Sequence, residues 1–220
     1  MQRAFFFGVV LASSLVASGC KRASSGPFEG RITMSVTRAG SPPSEMTFES
    51  AGKTARLTMA DPTASGSYAL VRPDGMAAIV LPAQKSWADL SMQKSGAAMA
   101  AADPGGAPTV VKTGKHESVA GAECEIWEIR HTAGSRSEAC IAEGFVDFDY
   151  GALMPGATSF TGAASADVKE RKLFPLRSIE IDASGKETSR MVVTRIERAT
   201  IDKARLEVPK DYTYVSPRAK

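Results

Sequence analysis

Few residues of this 220-residue chain could do chemistry: two histidines, three cysteines and one close acidic pair. His116 or His131 would have to serve any Ser-His-Asp relay. Serine is plentiful, but no Gly-x-Ser-x-Gly elbow raises one as a nucleophile. Both histidines fall in or beside turns of a hairpin region, where a solvated loop histidine is the ordinary outcome. Asp147 and Asp149, in FVDFDYG, have the chemistry to ligate a cation or to act as a carboxylate pair. Period-two alternation gives a simpler reading. It puts both on a wet face, with Val146, Phe148 and Tyr150 inward. No phosphate loop, dinucleotide fingerprint or Cys-x-x-Cys motif occurs. The expectation is a protein that is not an enzyme and carries no cofactor and no metal.

The first cysteine, Cys20, follows MQRAFFFGVVLASSLVASG. Arg3 and the free amine make a short positive region, and residues 4–16 are apolar and uncharged. Ala17, Ser18 and Gly19 are small. This order reads as a secretory signal, and the apolar run is too short for a comfortable membrane span. LVASGCKR resembles the bacterial lipobox, with Ala17 where leucine is usual. The resemblance implies cleavage before Cys20 and acyl chains on it. Residues 1–19 are then a signal peptide, residues 20–27 a lipidated tether, and Cys20 the lipidation site. One acyl chain anchors only marginally, at about 0.8 kcal/mol per buried methylene, so several are needed for a stable tether. Lys21 in place of aspartate points to the outer membrane, facing the periplasm. Removing Arg3 with the signal lowers the formal charge from +3 to +2. That balance, with no basic stripe, argues against a nucleic-acid partner.

The other two cysteines, Cys124 and Cys140, lie in ECEIWEIRHTAGSRSEAC. The stretch reads as strand, turn, strand, with Thr132-Ala133-Gly134 as the turn. In an oxidising periplasm a disulfide across this hairpin is favoured. It would add about 3 kcal/mol in the chain-entropy model. A two-residue turn centred on Ala133-Gly134 would offset the cysteines by more than one pair, so a longer loop or a bulge is expected. A metal site would draw on His116 and His131, but the spacing lacks the close ligand pairs of structural zinc.

The elements that must position these residues are mostly strands. FEGRITMSVTR alternates, with Phe28, Ile32, Met34 and Val36 on one face. EMTFES and KTARLTMA continue with Met46, Phe48, Ala55, Leu57 and Met59 inward. SYALVR and MAAIVL flank the turn signal Pro73-Asp74-Gly75. SWADL reads as a strand or as the entry to a helix at Asp89. Further strands are expected at 119–130, 136–142, 175–182 and 188–198. Residues 89–102 read as a short alanine-rich helix, and 143–172 as a loop carrying one short helix. Many short strands separated by turns indicate a mainly β (α+β) fold, one curved antiparallel sheet. No central linker divides the chain, so residues 28–215 form one domain and 216–220 a tail. A chain of this length buries roughly 70% of its unfolded surface.

Four segments then line up: FEGRITMSVT, KTGKHESVAGAECEIWEI, FPLRSIEIDASGKE and ARLEVPKDYTYV. Together they resemble an uncharacterised family of envelope proteins whose fold is similar to the lipoprotein carriers LolA and LolB. The resemblance implies an unclosed half-barrel with helices over its mouth and an apolar concave face. It brings no catalytic residues. The expected function is a lipid-anchored periplasmic module binding a lipid or other apolar ligand. The alternative is a structural or interaction lipoprotein, docked to an envelope protein, with a filled core. An envelope hydrolase is a distant third. The expected lining is Ile32, Met34, Phe48, Leu57, Met59, Tyr68, Leu70 and Trp87, with residues 89–102 as a lid. Methionines suit a surface that repacks around varied ligands, and they suit an ordinary core equally well.

Overall fold

A computed structural model describes residues 28–60, 66–90, 108–153 and 172–216. The signal segment, Cys20 and the tether lie outside the described residues. So do the expected lid from residue 91 onward and residues 154–171.

Twelve strands form a single sheet. In chain order the first six are β1 (Glu29–Arg38), β2 (Ser44–Ala51), β3 (Thr54–Met59), β4 (Tyr68–Val71), β5 (Ala77–Leu81) and β6 (Ser86–Asp89). Then come β7 (Thr109–Val119), β8 (Ala122–Arg130), β9 (Arg136–Ala142), β10 (Phe174–Ile181), β11 (Glu187–Arg198) and β12 (Thr213–Tyr214). The spatial order is β12-β6-β5-β4-β3-β2-β1-β11-β10-β9-β8-β7. Neighbours are antiparallel except β12, which lies parallel to β6. The fold is mainly β, one large unclosed curved sheet with very little helix. Asp89 is the last residue of β6. Among the described residues of the 143–172 segment there is one short helix, α1 (Tyr150–Leu153).

One element went unread in the sequence. The strand expected at 119–130 is β8, which begins at Ala122; β7 precedes it, ends at Val119 and turns at Ala120-Gly121. Both turn residues have positive φ, 50° and 81°, as a two-residue hairpin of matching twist requires. The next hairpin carries the disulfide. His131 N–H donates to the Ser135 carbonyl, and Gly134 sits at φ 86°. This three-residue loop with a left-handed glycine is the longer connection the cysteine offset demanded. It sets Cys140 opposite Ile126, so Cys124 and Cys140 are diagonal neighbours. Their Cα atoms are 5.3 Å apart and their sulfurs are bonded.

The two faces of β1–β6 are buried by different segments. On the inner face, Ile32, Met34 and Phe48 are fully buried against residues 145–153. Phe174 joins them there, with ring centroids 5.8 Å from Phe48 and Phe145, 6.2 Å from Phe148 and 5.1 Å from Tyr150. Tyr150 hydroxyl donates to the Met191 sulfur at 3.6 Å, and burial pushes its phenol up. The outer face is covered by the C-terminal segment. Tyr68, Leu70 and Val80 pack there against Trp87, Val208 and Tyr212.

Glu49 ties that segment down. Its carboxylate is 3% exposed and accepts hydrogen bonds from Arg31 at 2.9 Å and from Arg205 at 2.8–3.1 Å. Burial opposes its ionisation, but the two guanidinium groups outweigh burial and hold the carboxyl below its ordinary value. Replacing Glu49 with Gln is expected to cost about 2 kcal/mol at neutral pH, the scale of hydrogen bonds to a charged group. Because the folded-state value is lowered, this stabilisation is complete above the unfolded carboxyl value and is lost as pH falls through the folded one. Urea unfolding at pH 7 and pH 3 therefore shows a gap between wild type and Glu49→Gln that shrinks in acid. A gap independent of pH contradicts the ion-pair account.

Candidate binding cleft

Among the described residues, the inner face is not packed along its whole length. Beyond the aromatic cluster, toward the strand ends at Arg38 and Ser44, lies a cleft of about 440 Å³. Strand register explains its layering. Val36 pairs with Met191 across β1 and β11, and Met191 pairs with Ser178 on β10. One row deeper, Met34 pairs with Met46 and Met46 with Met59. This row is thus rich in methionine, buried at Met34 and Met46 and exposed at Met59, and the soft, unbranched side chain adapts to varied apolar shapes. Leu57, Ala69 and Ile79 continue the apolar wall, and Leu90 and Leu153 border it. The polar members are Arg38, Ser44, Ser67, Ser178, Glu180 and Ser189. A cleft of this size, mostly apolar with a few polar groups, falls within the range of small-molecule sites, about 300–1,000 Å³.

The expected lining residues separate into three groups. Leu57 and Met59 line the cleft. Ile32, Met34 and Phe48 share its face but are fully buried beneath the 145–153 segment. Leu70 and Trp87 are on the outer face, and the Tyr68 ring packs there with them although Tyr68 borders the cleft. The reason is register. Leu57 pairs with Ala69, which places Ala69 inward and its neighbours Tyr68 and Leu70 outward. YALV is buried on both faces, so its composition shows no alternation from which to read the phase. Val36, Met46 and Met191 belong to the cleft by the same alternation that selects Met34. Leu153 enters through α1, which no strand pattern reveals.

The polar residues that looked chemical hold structural positions. His116 is exposed on β7 opposite Glu125. His131 sits in the β8–β9 loop, its Nε2 3.5 Å from Ser137 Oγ. Ser137 Oγ donates to Glu180 at 2.5 Å. Serine therefore bridges histidine and carboxylate, whereas a catalytic relay needs histidine in the middle. Asp147 is ion-paired with Lys172, and Asp149 accepts from Ala152 N–H at 3.2 Å at the start of α1. Val146, Phe148 and Tyr150 are buried, as the alternation in FVDFDYG required. Glu117 approaches Cys124 and Cys140, yet the cysteines are spent in the disulfide. Its carboxylate receives two hydrogen bonds from Arg177, at 2.7 and 3.2 Å.

A family model for a domain of unknown function, DUF4412, matches residues 28–212. The chain belongs to the DUF4412 family. Among curated proteins none matches this DUF4412 chain. Solved structures are similar to it at low identity. An uncharacterized conserved protein from Thermus thermophilus has a TM-score of 0.49 and 12% identity, covering 86% of this chain and 91% of that one. MucB of the MucA/MucB complex from Pseudomonas aeruginosa has a TM-score of 0.49 and 16% identity. That match covers 84% of this chain and 57% of the other. The LolA superfamily protein NE2245 from Nitrosomonas europaea has a TM-score of 0.36 and 12% identity, covering 84% and 92%. The likeness to LolA proteins expected from the sequence is thus present, at scores that carry no functional argument.

Proposed function

We propose that this DUF4412 chain is a binding module of the bacterial envelope that holds an apolar molecule in the cleft. The single observation behind the reading is the division of the inner face. Aromatic residues fill one half, and the methionine-lined half remains a cleft of about 440 Å³. An interaction protein with a filled core would pack both halves. Native mass spectrometry of gently purified protein is the test. A co-purifying apolar molecule, released on unfolding, is the expected result. A bare mass, together with no uptake of an added apolar fluorophore, overturns the reading.

The lipobox-like LVASGCKR supports a position at the membrane. Acylation of Cys20 supplies the anchor, so the folded domain needs no membrane-binding surface of its own. Cys20→Ser is expected to release the protein into the soluble fraction or to stall its maturation. Unchanged membrane association with normal processing contradicts the anchor.

A further inference from the structure

The mouth of the cleft has a charge pattern that the binding reading does not use. Arg38 on β1 pairs with Ser189 on β11, and Ser189 with Glu180 on β10. These three residues form one row across adjacent strands, so the backbones of Arg38 and Glu180 are two strand spacings apart, about 10 Å. The rows beneath it grow apolar: first Val36 and Met191, then Met34 and Val193. The cleft is therefore amphipathic along the strand direction. Its charged members differ in how they are engaged. Glu180 already accepts from Ser137. Arg38 is exposed, and no hydrogen bond or ion pair engages its guanidinium among the described residues. Among the described residues it is the one cationic side chain lining the cleft.

We propose that the cleft takes a single-chain amphiphile with an anionic head group, the head bound by Arg38 and the chain lying along Met46, Leu57 and Met191. The inference rests on the binding reading above and adds the class of ligand. A guanidinium matches a carboxylate or a phosphate, and its hydrogen bonds to either are charge-assisted. The volume, in the lower half of the small-molecule range, suits one chain better than two.

The test displaces the uncharged fluorophore N-phenylnaphthylamine with ligands sharing one chain length. These are dodecanoate, dodecanol and dodecyltrimethylammonium, with lauroyl-lysophosphatidylglycerol as the phosphate source. Dodecanoate or the lysophospholipid is expected to compete roughly tenfold better than dodecanol, the scale of one charge-assisted hydrogen bond. Whichever of the two is stronger identifies carboxylate or phosphate as the head. Arg38→Ala should remove that preference and leave dodecanol unchanged, while Arg38→Lys retains part of it. The melting temperature of both variants should match wild type, since Arg38 has no partner to lose among the described residues. Equal competition by dodecanol and the anions, or a preference that survives Arg38→Ala, overturns the proposal. So does a preference for the ammonium compound, which would assign the head to Glu180. Failure of the fluorophore to bind at all overturns the binding reading, and this proposal with it.

Discussion

Replacing Gly30 with Ala should lower stability by about 4 kcal/mol, the sum of two penalties of about 1–3 kcal/mol each. Gly30 lies within β1 at φ 147°, a backbone conformation that side chains rarely adopt. A Cβ built there would lie 1.9 Å from the Glu197 carbonyl oxygen and 2.9 Å from the Arg198 Cα. Both are backbone atoms of β11, so no side chain can swing aside. The β1–β11 ladder sits in the middle of the sheet order, and separating it opens both halves. The loss corresponds to a fall in melting temperature of about 10 °C for a domain of this size. Gly40→Ala is the control. Gly40 also has positive φ, 79°, but nothing lies within 4 Å of its Cβ position. It should cost only about 1–2 kcal/mol, the left-handed penalty alone. Equal losses at both sites would show that close strand approach is not what requires Gly30.

Phe174→Ala should cost about 3–5 kcal/mol, the usual range for truncating a buried aromatic side chain. Phe174 is fully buried and touches rings from three parts of the chain: Phe48 of β2, Phe145 and Phe148 before α1, and Tyr150 within it. Edge-on contacts of this kind add about 0.5–1.5 kcal/mol beyond area burial. The effect should be local first. Hydrogen exchange is expected to accelerate across residues 145–153 before it does so in β1 and β2, because that segment depends on the ring cluster for its docking. A cost below about 1.5 kcal/mol, or uniform acceleration, would mean that the inner face is held chiefly by the sheet itself. Tyr150 offers a contrast within the cluster. Its hydroxyl contributes only a weak bond to the Met191 sulfur, so the ring and not the oxygen is what the core uses.

How far these features were legible depends on whether a pattern had one buried face or two. β1, β2 and β3 alternate cleanly, and their inward residues Ile32, Met34, Met46, Phe48 and Leu57 follow from period two. β4 is buried on both sides, inward beneath the aromatic cluster and outward beneath residues 201–212. Its phase is set by its pairing with β3, a non-local fact, so the strand's own composition does not show that Leu70 faces outward. β7 is an exposed edge strand, TVVKTGKHESV, and carries almost no hydrophobic signal. Ala120 hid the turn, because a non-glycine residue at positive φ gives no cue, although Gly121 beside it did. Gly30 was legible in principle, since glycine inside an alternating strand marks a close backbone approach. The disulfide loop was legible from arithmetic alone: the offset of the cysteines required more than two residues of turn. The cleft itself was not legible. Its existence depends on the 145–153 segment covering only part of the inner face, which is a matter of three-dimensional volume.

The central claim is that the methionine-lined half of the inner face holds an apolar ligand. Equilibrium binding of N-phenylnaphthylamine to wild type and to Ala69→Trp tests it most directly. Ala69 lines the cleft from β4 and is half-buried, so an indole there projects into the ligand's space. The account predicts saturable binding at one site in wild type. It predicts roughly tenfold weaker affinity or worse in Ala69→Trp, with the melting temperature retained, because occlusion removes the ligand's apolar burial. Binding that is absent in wild type, or that Ala69→Trp leaves unchanged, would contradict it.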